Sequence, residues 1–481
     1  MKGFLVGNEE VLRDRSYEVI NPANEQVIDR VSLATLDDAK NAIETAKKAF
    51  DSWSSTPLHK RIELLYKLAD YIASNREDFA RILALEAGKP IRDARVEATR
   101  TEKVFRYSAE AARYLLTGEL PRLDAFEYPA GNEKRMAMIK REPMGVVVAI
   151  TPFNFPLNSF AHKVAPALAV GNTVVVKPSL STPLSALNIA NIMLKLGFPP
   201  GVVNVITGYS SEIGDLLITH EDVSLITFTG STEVGLKIAS KAAGHSKRMI
   251  MELGGSDPMI ILDDADIEKA STVATRARFE YAGQNCNSAK RIFVQEKVFD
   301  KFLELFKEKT AKLKLGNPMD ESTDVGPVIS SEAIKNMESY IEDAKNKESE
   351  VVLGGIRPYS RGYFLAPTIL KAGSPDIKAL NEEVFGPVAP VMKVKDEEEA
   401  SFLANKSKYG LQAAIFTSDY KKALKIADKI KTGAVIINDS TRLRWDALPF
   451  GGVRYTGFGR EGVKYTMQEM TELKLIALNL D

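Results

Sequence analysis

The chain has 481 residues, long enough for two or three domains and a large buried core. Its 64 Lys and Arg residues balance 64 Asp and Glu residues, so composition supplies no general pull toward nucleic acid or a membrane surface. A single cysteine excludes an internal disulfide and suits a reducing, cytoplasmic setting, and four scattered histidines show no metal-ligand spacing.

The opening Met1-Lys-Gly-Phe-Leu-Val-Gly-Asn8 has too short an apolar run for a signal peptide, and no later run approaches the ~20 residues of a membrane span. A short extended entry, Tyr17-Glu-Val-Ile-Asn-Pro22, leads into helices expected over 37–50, 60–74, 77–87 and 91–115. Residues 37–50 start acidic, end basic and repeat apolar side chains at three- and four-residue steps, as a surface helix does. None of the four carries recognisable chemistry, and they read as a packing layer. Residues 122–143, with the charged alternation Glu133-Lys-Arg-Met-Ala-Met-Ile-Lys-Arg141, read as a projecting hairpin.

Around residue 140 the texture changes to short apolar runs alternating with helical segments. Those at 145–150, 173–176, 202–206, 225–228 and 249–251 read as buried parallel strands, with crossover helices near 159–169, 183–196, 211–219 and 231–243. This is the pattern of a doubly wound α/β domain, which binds ligands beyond the carboxyl ends of its strands. A second α/β run follows, with strands at 258–262, 291–294, 349–353, 412–416 and 433–437 and helices at 266–281, 298–312, 397–407 and 420–430. The closing Glu472-Leu-Lys-Leu-Ile-Ala-Leu478 is an apolar strand without a partner nearby in sequence, and exposed strands of this kind find another edge, which implies an oligomer.

The lone Cys286 lies in Tyr281-Ala-Gly-Gln-Asn-Cys-Asn-Ser-Ala-Lys290, a polar break between a helix and a strand, where a reactive group is better placed than inside an element. Four other stretches end strands with polar residues and glycine. Asn154, in Thr151-Pro-Phe-Asn-Phe-Pro156, offers an amide to an oxyanion or caps the helix that follows. Lys177, in Lys177-Pro-Ser179, reads as a ribose contact or a solvated charge. Gly230 and Ser231 bring N–H groups to a pyrophosphate or only start a helix. Glu252 is a partly buried base or a surface ion-pair partner. A G-x-G-x-x-G fingerprint is missing, and spacing does not show whether these residues converge.

Their order carries more. Along nearly its whole length the chain resembles the aldehyde dehydrogenase superfamily, through Thr151-Pro-Phe-Asn-Phe-Pro156, Lys177-Pro-Ser179, Phe228-Thr-Gly-Ser231, Glu252-Leu-Gly-Gly255, Gly283-Gln-Asn-Cys286, Glu382-Glu-Val-Phe-Gly-Pro387 and Pro449-Phe-Gly-Gly452. The resemblance implies a Rossmann-like cofactor domain (1–121 and 144–252), an α/β catalytic domain (253–455), and a small β oligomerisation arm with the C-terminal strand (122–143 and 456–481). It implies Cys286 as nucleophile, Glu252 as base, and Asn154 with the Cys286 N–H as oxyanion donors. Lys163 and Glu461 match positions on a proton-relay path. For the cofactor it implies Thr151, Pro152, Phe153, Lys177, Ser179, Leu180, Gly208, Gly214, Phe228, Gly230, Ser231, Val234, Leu253, Gly254, Glu383 and Phe385.

Many NAD-dependent members similar to this chain carry glutamate three residues after the lysine. Leu180 stands there, which removes a charge that would repel a 2′-phosphate, so NADP is expected, with NAD also used. Phe153, Asn285, Asn287, Arg442 and Arg444 match the aldehyde entrance. The branch resembled most acts on lactaldehyde, glyceraldehyde or glyceraldehyde 3-phosphate, with succinate semialdehyde as alternative. The resemblance further implies a homodimer or homotetramer. Two competing readings are a CoA-acylating relative, which usually lacks the base, and a catalytically idle binding protein on the same fold.

Overall fold

The computed structural model describes residues 1–480. Val146–Ile150 and Thr173–Lys177 are nearly continuous runs of β-branched residues buried on both faces, a composition that favours parallel pairing under covering helices. They form the centre of an eight-stranded sheet, ordered Gly457–Phe458, Arg248–Glu252, Val223–Thr229, Val146–Ile150, Thr173–Lys177, Val203–Val205, Phe4–Val6, Glu9–Val11. The five central strands are parallel. The chain runs outward from Val146–Ile150 to Val203–Val205, then returns to Val146–Ile150's other side with Val223–Thr229. A crevice therefore opens beyond the carboxyl ends of those two neighbours, where the crossover direction reverses.

The helices expected in the first third are Leu36–Ser55, Leu58–Ser74, Arg76–Ala87 and Ile91–Leu115. The first begins at a capping box: Thr35 Oγ1 accepts from Asp38 N at 3.2 Å while Asp38 Oδ2 accepts from Thr35 N at 2.9 Å. Leu65, Leu68 and Ile72 are fully buried on the second helix. Each contributes about 1.5–3 kcal/mol and seats that layer on the sheet's core.

A seven-stranded sheet has its own core and the order Glu350–Leu353, Thr368–Lys371, Val388–Val394, Ala289–Gln295, Asp257–Ile261, Gln412–Phe416, Ala434–Ile437. All pairs are parallel except the first, which is antiparallel. Helix Ser331–Lys345 and strands Thr368–Lys371 and Val388–Val394 go beyond the sequence reading.

Two expectations are corrected. Residues 122–143 do not form a hairpin: Arg135–Pro143 pairs antiparallel over nine residues with the C-terminal strand Thr471–Asn479, and the segment before it is two short turns. Gly457–Phe458, expected in the arm, instead completes the first sheet beside Arg248–Glu252. The extended entry expected at 17–22 is strand Ser16–Asn21, paired antiparallel with Gln26–Ser32, and ahead of it Phe4–Val6 with Glu9–Val11 borders the first sheet. Among the described residues no helix is long and apolar enough to cross a membrane.

Candidate active site

Glu252 ends strand Arg248–Glu252, and Cys286 lies three residues ahead of strand Ala289–Gln295. Residues beyond the carboxyl ends of the first sheet and residues leading into the amino ends of the second share one cavity of about 470 Å³. Cys286, Glu252 and Asn154 all line it. The Cys286 Sγ–H donates to Glu252 Oε1 at 3.6 Å, and Thr229 Oγ1 reaches the other carboxylate oxygen at 3.4 Å.

The cysteine loop is held by local backbone geometry. Tyr281 and Ala282 have φ of 51° and 52°, and Gly283 has 69°. Side chains rarely take this conformation, and Tyr281 is retained in it by its buried hydroxyl, which donates to Ala87 O at 2.7 Å. The next residue, Gln284, is buried and accepts from Ile329 N at 2.9 Å. Its carbonyl accepts from Asn154 Nδ2 at 2.9 Å, which orients the amide and leaves its second N–H for a ligand.

Asn154 caps no helix. Helix Pro156–Val170 starts on Pro156, and its free Leu157 and Asn158 N–H groups both donate to Glu97 Oε1 at 3.1 Å. Glu97 also pairs with the buried Lys89, whose Nζ donates to Asn154 O at 2.9 Å and lies 3.6 Å from the Phe155 ring centroid.

Burial, and then the negative charge of Glu461, push Glu252 up to about 8. Glu461 is buried too, which works against ionisation, yet Lys163 at 2.9 Å and Arg444 at 3.0 Å hold it well below the usual carboxylate range. Lys163 sits behind the cavity, tied also to Thr227 Oγ1 at 3.1 Å, while Glu461 lines it.

Arg442 and Arg444 reach the cavity wall together with Arg100 and Asn287. Arg442 donates to Asn287 Oδ1 at 2.6 Å and to Glu280 Oε1 at 2.7 Å. Arg444 lies 3.7 Å from the Phe450 ring centroid. Arg100 grips Asp446 with two bonds, of 2.5 and 3.2 Å, and Asp446 bonds His162 Nε2 at 2.9 Å. Asn285 is a correction: it lies outside the cavity lining, buried, with its amide donating to Glu280 O at 2.9 Å. Asn287, one residue past the cysteine, does line the cavity.

Toward the cofactor end the lining includes Thr151, Pro152, Phe153, Lys177, Ser179, Phe228, Gly230, Ser231, Val234, Leu253, Gly254, Glu383 and Phe385. Leu180, Gly208 and Gly214 do not line it; a Cβ at Gly208 would meet Ile213 Cδ1 at 2.7 Å, so that glycine serves packing. These walls fit a dinucleotide. Thr151 Oγ1 is buried without a partner, and Lys177 is buried with no ion-pair partner among the described residues, which lowers its pKa to about 8. Ser231 Oγ caps helix Thr232–Ala243, accepting from Val234 N, so the positive end of that helix faces the crevice. A side chain at Gly254 would come within 2.4 Å of Glu383 Oε2, so glycine there keeps the carboxylate in place.

Sequence reasoning missed Lys89, Glu97 and Arg100, because the first four helices read as packing alone. The signal was present: Glu97 falls on the buried stripe Ala94, Ala98, Thr101, Phe105, where a charge needs a partner. His162 and Ser210 also line the cavity and carried no spacing signal, while Phe450, which lines it too, lies in the motif Pro449-Phe-Gly-Gly452.

Two sheets meeting in this way, with a thiol and a carboxylate in contact beside a dinucleotide-shaped crevice, define an oxidoreductase site. The model of the aldehyde dehydrogenase family matches residues 10–476, and the chain belongs to that family. It is an NAD(P)-dependent oxidoreductase acting on aldehydes. The chain is 41% identical over 478 residues to the 3-sulfolactaldehyde dehydrogenase of Priestia aryabhattai, covering 99% of this chain and 98% of that one. It is 42% identical over 466 residues to the lactaldehyde dehydrogenase of Methanocaldococcus jannaschii, covering 96% and 97%. The glyceraldehyde-3-phosphate dehydrogenase GapN of the same organism, solved with NADP, superposes with a TM-score of 0.91 at 41% identity, covering 97% of this chain and 100% of that one. Other solved members hold NAD+.

Proposed function

We propose that this chain oxidises a small 2-hydroxyaldehyde of the lactaldehyde, glyceraldehyde or glyceraldehyde 3-phosphate type to its carboxylate through a cysteine adduct. The observation that carries the reading is the 3.6 Å contact between Cys286 Sγ and Glu252 Oε1 on the wall of the cavity that Asn154 also lines. Glu252 takes the thiol proton as the sulfur attacks the aldehyde carbon, and the free N–H of Asn154 with the Cys286 N–H holds the oxyanion. A nicotinamide cofactor held by Lys177, Gly230, Ser231, Glu383 and Phe385 would supply the hydride acceptor needed to oxidise the Cys286 adduct to a thioester. Glu252 gives up its proton along Glu461 and Lys163, then deprotonates the water that hydrolyses the thioester. A base in contact with the thiol favours water over CoA as acyl acceptor.

Substrates named for the relatives include 3-sulfolactaldehyde, lactaldehyde and glyceraldehyde 3-phosphate. Arg100, Arg442 and Arg444 on the cavity wall suit the charged members of that group, although each also serves a carboxylate of its own. NADP is the preferred cofactor in this reading, because Leu180 puts no acidic side chain three residues after Lys177, and Lys177 has no ion-pair partner among the described residues. The test is a spectrophotometric panel of these aldehydes and succinate semialdehyde with NADP and NAD, with and without CoA. The expected result is the highest kcat/KM with a three-carbon hydroxyaldehyde and NADP, independent of CoA. A strong NAD preference overturns the cofactor reading, and acyl-CoA as product overturns the hydrolytic one.

A further inference from the structure

Lys290 has no exposed surface, and the reaction as described gives it no part. Taking an ammonium out of water is costly unless each of its hydrogens finds an acceptor. Here all three do. Nζ donates to Gly255 O at 2.7 Å, to Cys286 O at 2.8 Å and to Glu383 Oε1 at 2.7 Å. Glu383 Oε1 accepts in turn from Gly255 N at 3.0 Å, which closes the cluster, and the Phe385 ring centroid lies 5.3 Å from the charge. One cation thus ties together the segment following Glu252, the carbonyl of Cys286 itself, and the carboxylate at the cofactor end.

We propose that Lys290 is a positioning residue for the reaction: it locks the Cys286 backbone against Glu383, and its charge sets the reactivity of the sulfur. The inference rests on Cys286 being the nucleophile. Charged groups facing the thiol come from every side: Glu252 on its strand, Glu461, Arg442 and Arg444 on the loops that close the cavity, and Lys290 with Glu383 beneath. Burial and Glu252 push the thiol up, while Lys290, Arg444 and Arg442 act in the opposite direction. All three cations are engaged by a carboxylate, Arg442 by Glu280, Arg444 by Glu461 and Lys290 by Glu383, but the two arginines lie on a separate segment. Lys290 alone is fixed to the nucleophile's own residue.

The experiment measures the rate of Cys286 alkylation by iodoacetamide against pH, followed by intact mass, in wild type, Lys290→Met, Lys290→Gln and Lys290→Arg. Thermal unfolding checks that each variant is folded, and the Gln variant carries the test where Met does not fold. Both neutral variants are expected to shift the profile upward, so that alkylation at pH 8 slows by about tenfold or more, one pKa unit being tenfold in thiolate. Lys290→Arg restores most of the rate. A staple without electrostatic consequence would lower the unfolding temperature and leave the profile in place, so a folded neutral variant with the wild-type profile overturns the proposal. Full aldehyde oxidation by wild-type protein whose thiol is stoichiometrically alkylated would instead overturn the reading of Cys286.

Discussion

Glu252 shows how placement alters a residue's chemistry. A carboxylate at a strand end reads equally as a surface ion-pair partner, but here burial and a neighbouring negative charge push it up to about 8. In the proposed mechanism the ionised form is the base, so turnover is expected to rise with pH through about 8 and to fall roughly tenfold per unit below it. Glu252→Gln removes this limb along with most activity; a pH–kcat profile flat from 6 to 9 in wild type contradicts the assignment. For Asn154→Ala, loss of one oxyanion donor is expected to lower kcat by about 10²–10³, with cofactor affinity unchanged. Near wild-type turnover would remove Asn154 from the mechanism. These residues were visible in the sequence because each is a polar side chain ending an apolar strand. Lys89 and Glu97 were not, since their role is to bond backbone atoms of a segment distant in the chain.

Elements were legible where one hydrophobic period repeats. The four amphipathic helices and the valine-rich strands of the first sheet match the sequence reading within a few residues. Failures came where pairing is non-local. Arg135–Pro143 alternates as a strand should, but its partner is more than three hundred residues away, so a local hairpin was the nearest guess. The cysteine loop is an element in its own right, because three consecutive residues of positive φ aim the sulfur. Gly283→Ala places a Cβ 2.5 Å from Gly386 O and 2.7 Å from Arg278 Nη1. It is expected to cost at least about 1–2 kcal/mol in urea unfolding and to lower kcat more than cofactor affinity. Unchanged stability and rate would show that the loop tolerates another path.

At the scale of the molecule, catalysis depends on two sheets meeting end to end, and no sequence period reports that. The antiparallel ribbon of Arg135–Pro143 and Thr471–Asn479 exposes Leu473, Leu475 and Leu478. We infer that it joins copies of the chain, since an exposed apolar strand edge tends to pair. Sedimentation is expected to give a dimer or tetramer, and Leu475→Glu a smaller species; a wild-type monomer rules this out. The meeting of the sheets is tested most directly by Cys286→Ala, assayed for NADPH and NADH formation across the aldehyde panel and for binding of both by fluorescence. The account predicts no detectable aldehyde oxidation with cofactor affinity unchanged. Oxidation near the wild-type rate would contradict it.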